Sequence, residues 1–63
     1  MFYLFEVEDK AIFDEVIEIF IEAEDEYAAE FKFQELFPMD CYRGWLIDEY
    51  TKEEAEVLGF DIF

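Results

Sequence analysis

Residues 10–27 read KAIFDEVIEIFIEAEDEY, and how this stretch folds decides the architecture. As a strand, its central IEIFIEA alternates only briefly. As a helix, at about 100° per residue, the whole segment sorts into two sides. Ile12, Val16, Ile19, Phe20, Ala23 and Tyr27 fall on one side, widened by Phe13 and Ile17. Asp14, Glu15, Glu18, Glu22, Asp25 and Glu26 fall within an arc of about 120° on the other. The spacing therefore predicts a long acidic helix over 10–27, with Asp9 as its N-cap. Its apolar arc covers about 200°, wider than a surface helix needs. That width predicts deep burial against a sheet, or contact with a second subunit.

Outward from this segment the elements are shorter. Residues 2–8 (FYLFEVE) are aromatic and β-branched, alternate at Phe5, Glu6, Val7, Glu8, and predict a strand. The apolar first half predicts a central strand, buried on both faces. Residues 29–34 (AEFKFQ) alternate, with Phe31 and Phe33 opposed to Glu30, Lys32 and Gln34, and predict a second strand. Helix continuing through Ala28 and Ala29 is the alternative there. Residues 37–40 read as a turn, since Pro38 biases Phe37 away from helix. Residues 41–48 predict a third strand, with Gly44 marking a bulge or a close approach.

Thr51 and Glu54 form a capping box for a second helix, which Gly59 ends as its C′ residue. Residues 60–63 then predict a short last strand. The expected fold is α+β, a single domain over 1–63. Its expected order is strand, helix, strand, strand, helix, strand, a reduced split-βαβ (ferredoxin-like) sheet with one long acidic helix.

Composition narrows the function. Asp and Glu number 19 against four Lys and Arg, and the formal charge is −15. Self-repulsion at this density opposes compaction, so folding alone gives no reason for it. A hydrophobic fraction of 56% and nine Phe argue against a disordered acidic tail. The chain has no Ser, Asn or His, one Thr and one Cys. A Ser–His–Asp or Cys–His arrangement therefore cannot be assembled from it. Zinc sites are excluded for the same reason, and no DxDxDG calcium loop is present. No catalytic residue, cofactor or metal is expected. Cys41 can form no intramolecular disulfide and reads as a small buried apolar residue. The short apolar start lacks a basic region, so no signal peptide is expected. No run reaches the about 20 apolar residues of a membrane span. The expectation is a cytoplasmic protein that avoids membranes.

On the predicted helix, Asp14, Glu18, Glu22 and Glu26 make an i, i+4 series of like charges. Each such pair destabilises a helix by about 0.2–0.5 kcal/mol. Residues 14 to 26 would span about 18 Å at the helical rise. Six carboxylates over that length give one charge per about 3 Å, against about 3.4 Å per charge along one DNA strand. The helix face therefore reads as a copy of one phosphate strand. Asp14, Glu15, Glu18, Glu22, Asp25, Glu26 and Glu30 are the candidate partner-binding residues. Tyr27, Tyr42, Trp45 and Tyr50 are candidate aromatic contacts beside them, with core packing as the ordinary alternative.

In size, charge and the run DEVIEIFIEAEDE at 14–26, the chain resembles the small acidic inhibitors of phages and mobile elements. These are the anti-CRISPR, anti-restriction and uracil-DNA glycosylase inhibitor proteins. The resemblance rests on those three features rather than on a motif. It implies a DNA-mimic inhibitor acting in a host bacterial cell, with no enzymatic activity and no direct binding to nucleic acid. Its target would be a basic nucleic-acid-binding complex, a host defence nuclease and first of all a CRISPR effector. The alternative is a homodimeric acidic adaptor or antitoxin-like module without mimicry, which the wide apolar face would serve.

Overall fold

The computed structural model describes residues 1–12 and 15–63. Its elements are β1 (Phe2–Asp9), β2 (Val16–Glu22), α1 (Glu26–Leu36), β3 (Tyr42–Tyr50), α2 (Lys52–Leu58) and β4 (Asp61–Ile62). They build an α+β fold around one mixed four-stranded sheet in the order β3-β1-β2-β4. β1 pairs antiparallel with β2 and with β3, while β4 runs parallel to β2.

The segment that decides the fold is a strand and not the expected helix. The reason lies in its register. β2 alternates Ile17, Ile19 and Ile21 on one face with Val16, Glu18, Phe20 and Glu22 on the other. Ile19 and Ile21 enter one core with Tyr3, Phe5, Val7 and, from α1, Ala29 and Phe33. Phe20 enters a second core on the opposite face with Phe2, Leu4 and, from α2, Ala55. A helix covers each face, so both sides of β2 can be apolar. The 200° arc read from the sequence was this two-sided burial projected onto a helix. β-branched Val16, Ile17, Ile19 and Ile21 also suit a strand better than a helix interior. Phe13, on the expected apolar side, lies outside the described residues.

The expected strand at 29–34 is likewise helix, within α1. Asp25 caps it, its Oδ1 accepting from the Ala28 N–H at 2.8 Å. The acids Asp25 and Glu26, unfavourable at the end of a helix over 10–27, sit here at the positive end of a helix dipole. Ala29 and Phe33, four apart, face the core. The Phe37 N–H closes the last turn on the Phe33 carbonyl at 2.8 Å, and Pro38 follows. Asp9 caps no helix: its carboxylate accepts from the Ala11 N–H in a tight turn that ends β1. The element order is therefore strand, strand, helix, strand, helix, strand, not the split-βαβ order. The longest helix among the described residues has 11 residues.

Cys41 is exposed, not buried as expected, because it lies in the turn just before β3 and outside both cores. The second helix follows the sequence reading. The capping box is complete, with Thr51 N–H donating to Glu54 Oε1 at 3.0 Å and Glu54 N–H to Thr51 Oγ1 at 3.3 Å. Gly59 ends α2 with φ 72°. Gly44 is a close approach and not a bulge: the Phe33 ring lies over it. The bulge falls three residues later. Leu4 faces Asp48 and Phe5 faces Leu46, which leaves Ile47 as the extra residue.

Tyr3 is buried, at 4% exposure, under α1. Burial pushes its phenol above the ordinary 10.0, and Glu49, Asp25 and Glu26 push the same way. Above that ordinary value the unfolded chain releases the proton while the folded chain keeps it. The native state then binds more protons, so stability falls as pH rises through this window. Urea unfolding on either side of pH 10.0 should show this loss, and Tyr3→Phe should reduce it. An unchanged alkaline slope in Tyr3→Phe would remove Tyr3 from the account.

Candidate functional site

The strand at 16–22 redistributes the expected acidic row. Glu18 and Glu22 share the Phe20 face of β2. Glu15 is exposed just before that strand. Asp25 is committed to capping α1, and Glu26 and Glu30 lie one turn apart on α1, the helix that covers the opposite face. Asp14 lies outside the described residues. The expected residues are therefore divided between the two sides of the sheet, and they do not form one stripe.

A different acidic group is brought together. On the Phe20 face, α2 covers the end of the sheet that holds Phe2, Leu4 and Phe20. Beyond Leu4 on β1 the next residues on this face are Glu6 and Glu8, and before Phe20 on β2 they are Glu18 and Val16. The register sets Glu6 directly opposite Glu18, and Glu8 opposite Val16. On the other side of β1, Glu6 faces Trp45 and Glu8 faces Arg43. Glu6, Glu8 and Glu18 are half-buried, and Trp45 and Arg43 are exposed.

Glu6 and Glu8 are thus about 6.8 Å apart along the strand. Glu6 and Glu18 have Cβ atoms about 5 Å apart across the pair. Both strands are central in the sheet. Like charges directly opposite in a sheet destabilise it, so this pair works against the fold that carries it. The Phe5–Glu8 alternation signalled Glu6 and Glu8 in the sequence. Only the register reveals their juxtaposition with Glu18.

The chain matches no protein-family model, no curated protein and no solved structure.

The other surfaces are of two kinds. A cleft of about 420 Å³ opens beside α1 and β3, floored by Phe5, Phe33 and Phe37, with Lys10 and Arg43 at its rim. The Lys10 ammonium is already engaged by the Met39 carbonyl. On α1, Tyr27 and Phe31 form an outward pair, 83% and 67% exposed. Among the described residues no three of His, Cys, Asp and Glu gather as metal ligands would. No helix among them is long and apolar enough to cross a membrane.

Proposed function

We propose that the protein is a non-enzymatic inhibitor whose carboxylate-bearing sheet face occupies a basic, nucleic-acid-binding surface of another protein. Glu6, Glu8 and Glu18 are the centre of that face, with Glu15 and Glu22 at its margin. The observation that carries this reading is the Glu6–Glu18 pair. It sets like charge against like charge on the two central strands of a chain whose net charge is already −15. A basic partner would relieve that repulsion and gain the counterion release that normally drives nucleic-acid binding. Trp45, exposed beside Glu6, adds an aromatic contact that a phosphate strand does not offer. The partner class follows from the resemblance: a defence nuclease in a bacterial cytoplasm, with a CRISPR effector first and restriction or repair enzymes next.

The test is capture of a nucleic-acid-processing complex from bacterial lysate on the immobilised protein, with elution by salt and competition by DNA. Glu18→Lys is the decisive variant. It should strengthen the sheet by up to about 1 kcal/mol, because Lys then faces Glu6. It should weaken capture about tenfold or more, because it sets like charge against the partner. Glu35→Lys, on the exposed side of α1, is the control. Equal losses in both variants would reduce the effect to net charge and refute a defined face.

The second reading is an acidic adaptor or antitoxin-like module without mimicry. The exposed Tyr27–Phe31 pair favours it. Capture through that pair would resist salt and fail in Phe31→Glu, while Glu18→Lys would leave it intact.

A further inference from the structure

The sheet ends on one side at β3, an edge strand of nine residues. Its two halves differ. Past the bulge at Ile47, the Glu49 N–H is taken by the Asp48 carboxylate at 2.8 Å, so that half is both kinked and capped. Kinks and charges of this kind protect edges from pairing. Residues 42–46 carry no kink, their one charge is Arg43, and of their outward groups only the Tyr42 N–H is taken, by the Pro38 carbonyl.

The direction of their backbone groups follows from two hydrogen bonds. The Cys41 carbonyl accepts from Lys10 N–H, at the end of β1, and so points inward. The Tyr42 N–H, on the same peptide plane, points the other way and bonds the Pro38 carbonyl. Alternation along an antiparallel strand then turns the Gly44 and Leu46 N–H and C=O groups outward, and the Tyr42 C=O with them. These are strong hydrogen-bonding groups on an open edge.

The side chains of this stretch are complementary to themselves. Antiparallel pairing about Gly44 sets Arg43 opposite Trp45 of a second copy, and Trp45 opposite that copy's Arg43. Arg43 and Trp45 stand on the same face of the sheet, so the guanidinium and the indole meet, twice. Tyr42 meets Leu46 on the other face, also twice. Gly44 faces Gly44, with no side chain between the backbones.

We propose that residues 42–46 of β3 form a self-association edge, where a second copy of this chain adds antiparallel about a two-fold axis at Gly44. Four backbone hydrogen bonds follow. Gly44 N–H donates to the opposing Gly44 carbonyl in both directions, and Leu46 N–H to the opposing Tyr42 carbonyl in both directions. The product is a continuous eight-stranded sheet, two copies of the four-stranded one. Its axis is perpendicular to the sheet, so the two open faces lie on the same side. The net charge of −15 on each copy opposes the union, so association strengthens as salt screens it. That is opposite to the salt dependence of the proposed partner binding. The inference stands apart from that reading: a dimer that captures nothing leaves it intact, and a monomer that captures a nuclease refutes it alone.

Sedimentation velocity over a range of concentrations, at low and raised salt, tests it. The expected result is a monomer–dimer equilibrium that shifts toward dimer with salt. Trp45→Arg sets Arg against Arg43 at both contacts and should weaken the dimer about tenfold or more. The double exchange Arg43→Trp with Trp45→Arg restores both contacts in reversed order and should recover it. Circular dichroism checks that these substitutions at exposed positions leave the fold intact. Monomer mass at every concentration and salt would overturn the proposal. So would a Trp45→Arg dimer as tight as the parent, or a double exchange as weak as the single variant.

Discussion

Gly44→Ala should unfold the protein or bring it close to unfolding. A Cβ built on Gly44 meets Phe33 Cζ and lies 2.8 Å from its Cε1 and 2.9 Å from the Glu6 carbonyl oxygen. Neither neighbour can yield. The Glu6 oxygen is backbone of a central strand. The Phe33 ring is stacked on Phe5 at 4.5 Å and on Phe37 at 5.2 Å, so moving it disturbs the core beneath α1. Overpacking a close-packed interior costs about 1–3 kcal/mol and more where backbone must shift. A domain of this length holds roughly 3–9 kcal/mol in all. The expected loss is about 3 kcal/mol or more, read as a fall in urea midpoint. Gly59→Ala is the comparison. Nothing lies within 4 Å of a Cβ there, and only the φ of 72° resists it, for a loss of about 1 kcal/mol. Equal losses at the two glycines would show that the Phe33 contact is not what requires Gly44.

Phe20→Ala is expected to be as damaging for the opposite reason. Phe20 is fully buried, and its ring touches Phe2 at 6.3 Å, Tyr50 at 5.8 Å and Phe60 at 5.9 Å. One side chain of β2 thus ties together β1, β3 and the segment before β4. Its removal leaves a cavity that these elements, fixed by their own pairing, cannot close. Burial of this kind is worth about 3–5 kcal/mol on Phe→Ala truncation, comparable to the whole stability of so small a domain. Phe31→Ala, on the exposed side of α1, should change the midpoint little. A mild Phe20→Ala phenotype would mean that the α2 face of the sheet contributes little to holding the fold.

The legible elements were those with one dominant local signal. β1 and β3 carried aromatic and β-branched runs, and α2 carried its own cap and stop. The exchange of strand and helix between 10 and 36 had a physical cause. Residues 16–22 are apolar toward both faces, and two-sided burial erases the alternation that marks a strand. The same residues then fit a helix with a broad apolar arc. The discriminating detail was Asp25, which in the structure starts α1 and so forbids a helix running through it. Residues 29–34 deceived in the complementary way. Phe31 and Phe33 alternate with polar residues in sequence, yet Phe31 is exposed, and the core contact is the Ala29–Phe33 pair. The candidate site fared similarly. Glu18 and Glu22 remained on one surface. The pairing of Glu18 with Glu6 depends on a register between segments twelve residues apart, which no local pattern encodes.

The half-covered face of the sheet has a consequence for the nascent chain. β1 and β2 come first, and α2, which seals Phe2, Leu4 and Phe20, comes last but for β4. Until α2 docks, a bare apolar sheet end is open to other copies of the same unfinished molecule, the usual route to aggregation. Glu6, Glu8, Glu18 and Glu22 stand on that same face, around the unsealed patch. They act there as gatekeepers, holding incomplete molecules apart by repulsion while the last helix is made. Neutralising them would therefore lower the yield of soluble protein during synthesis even where it strengthens the finished fold.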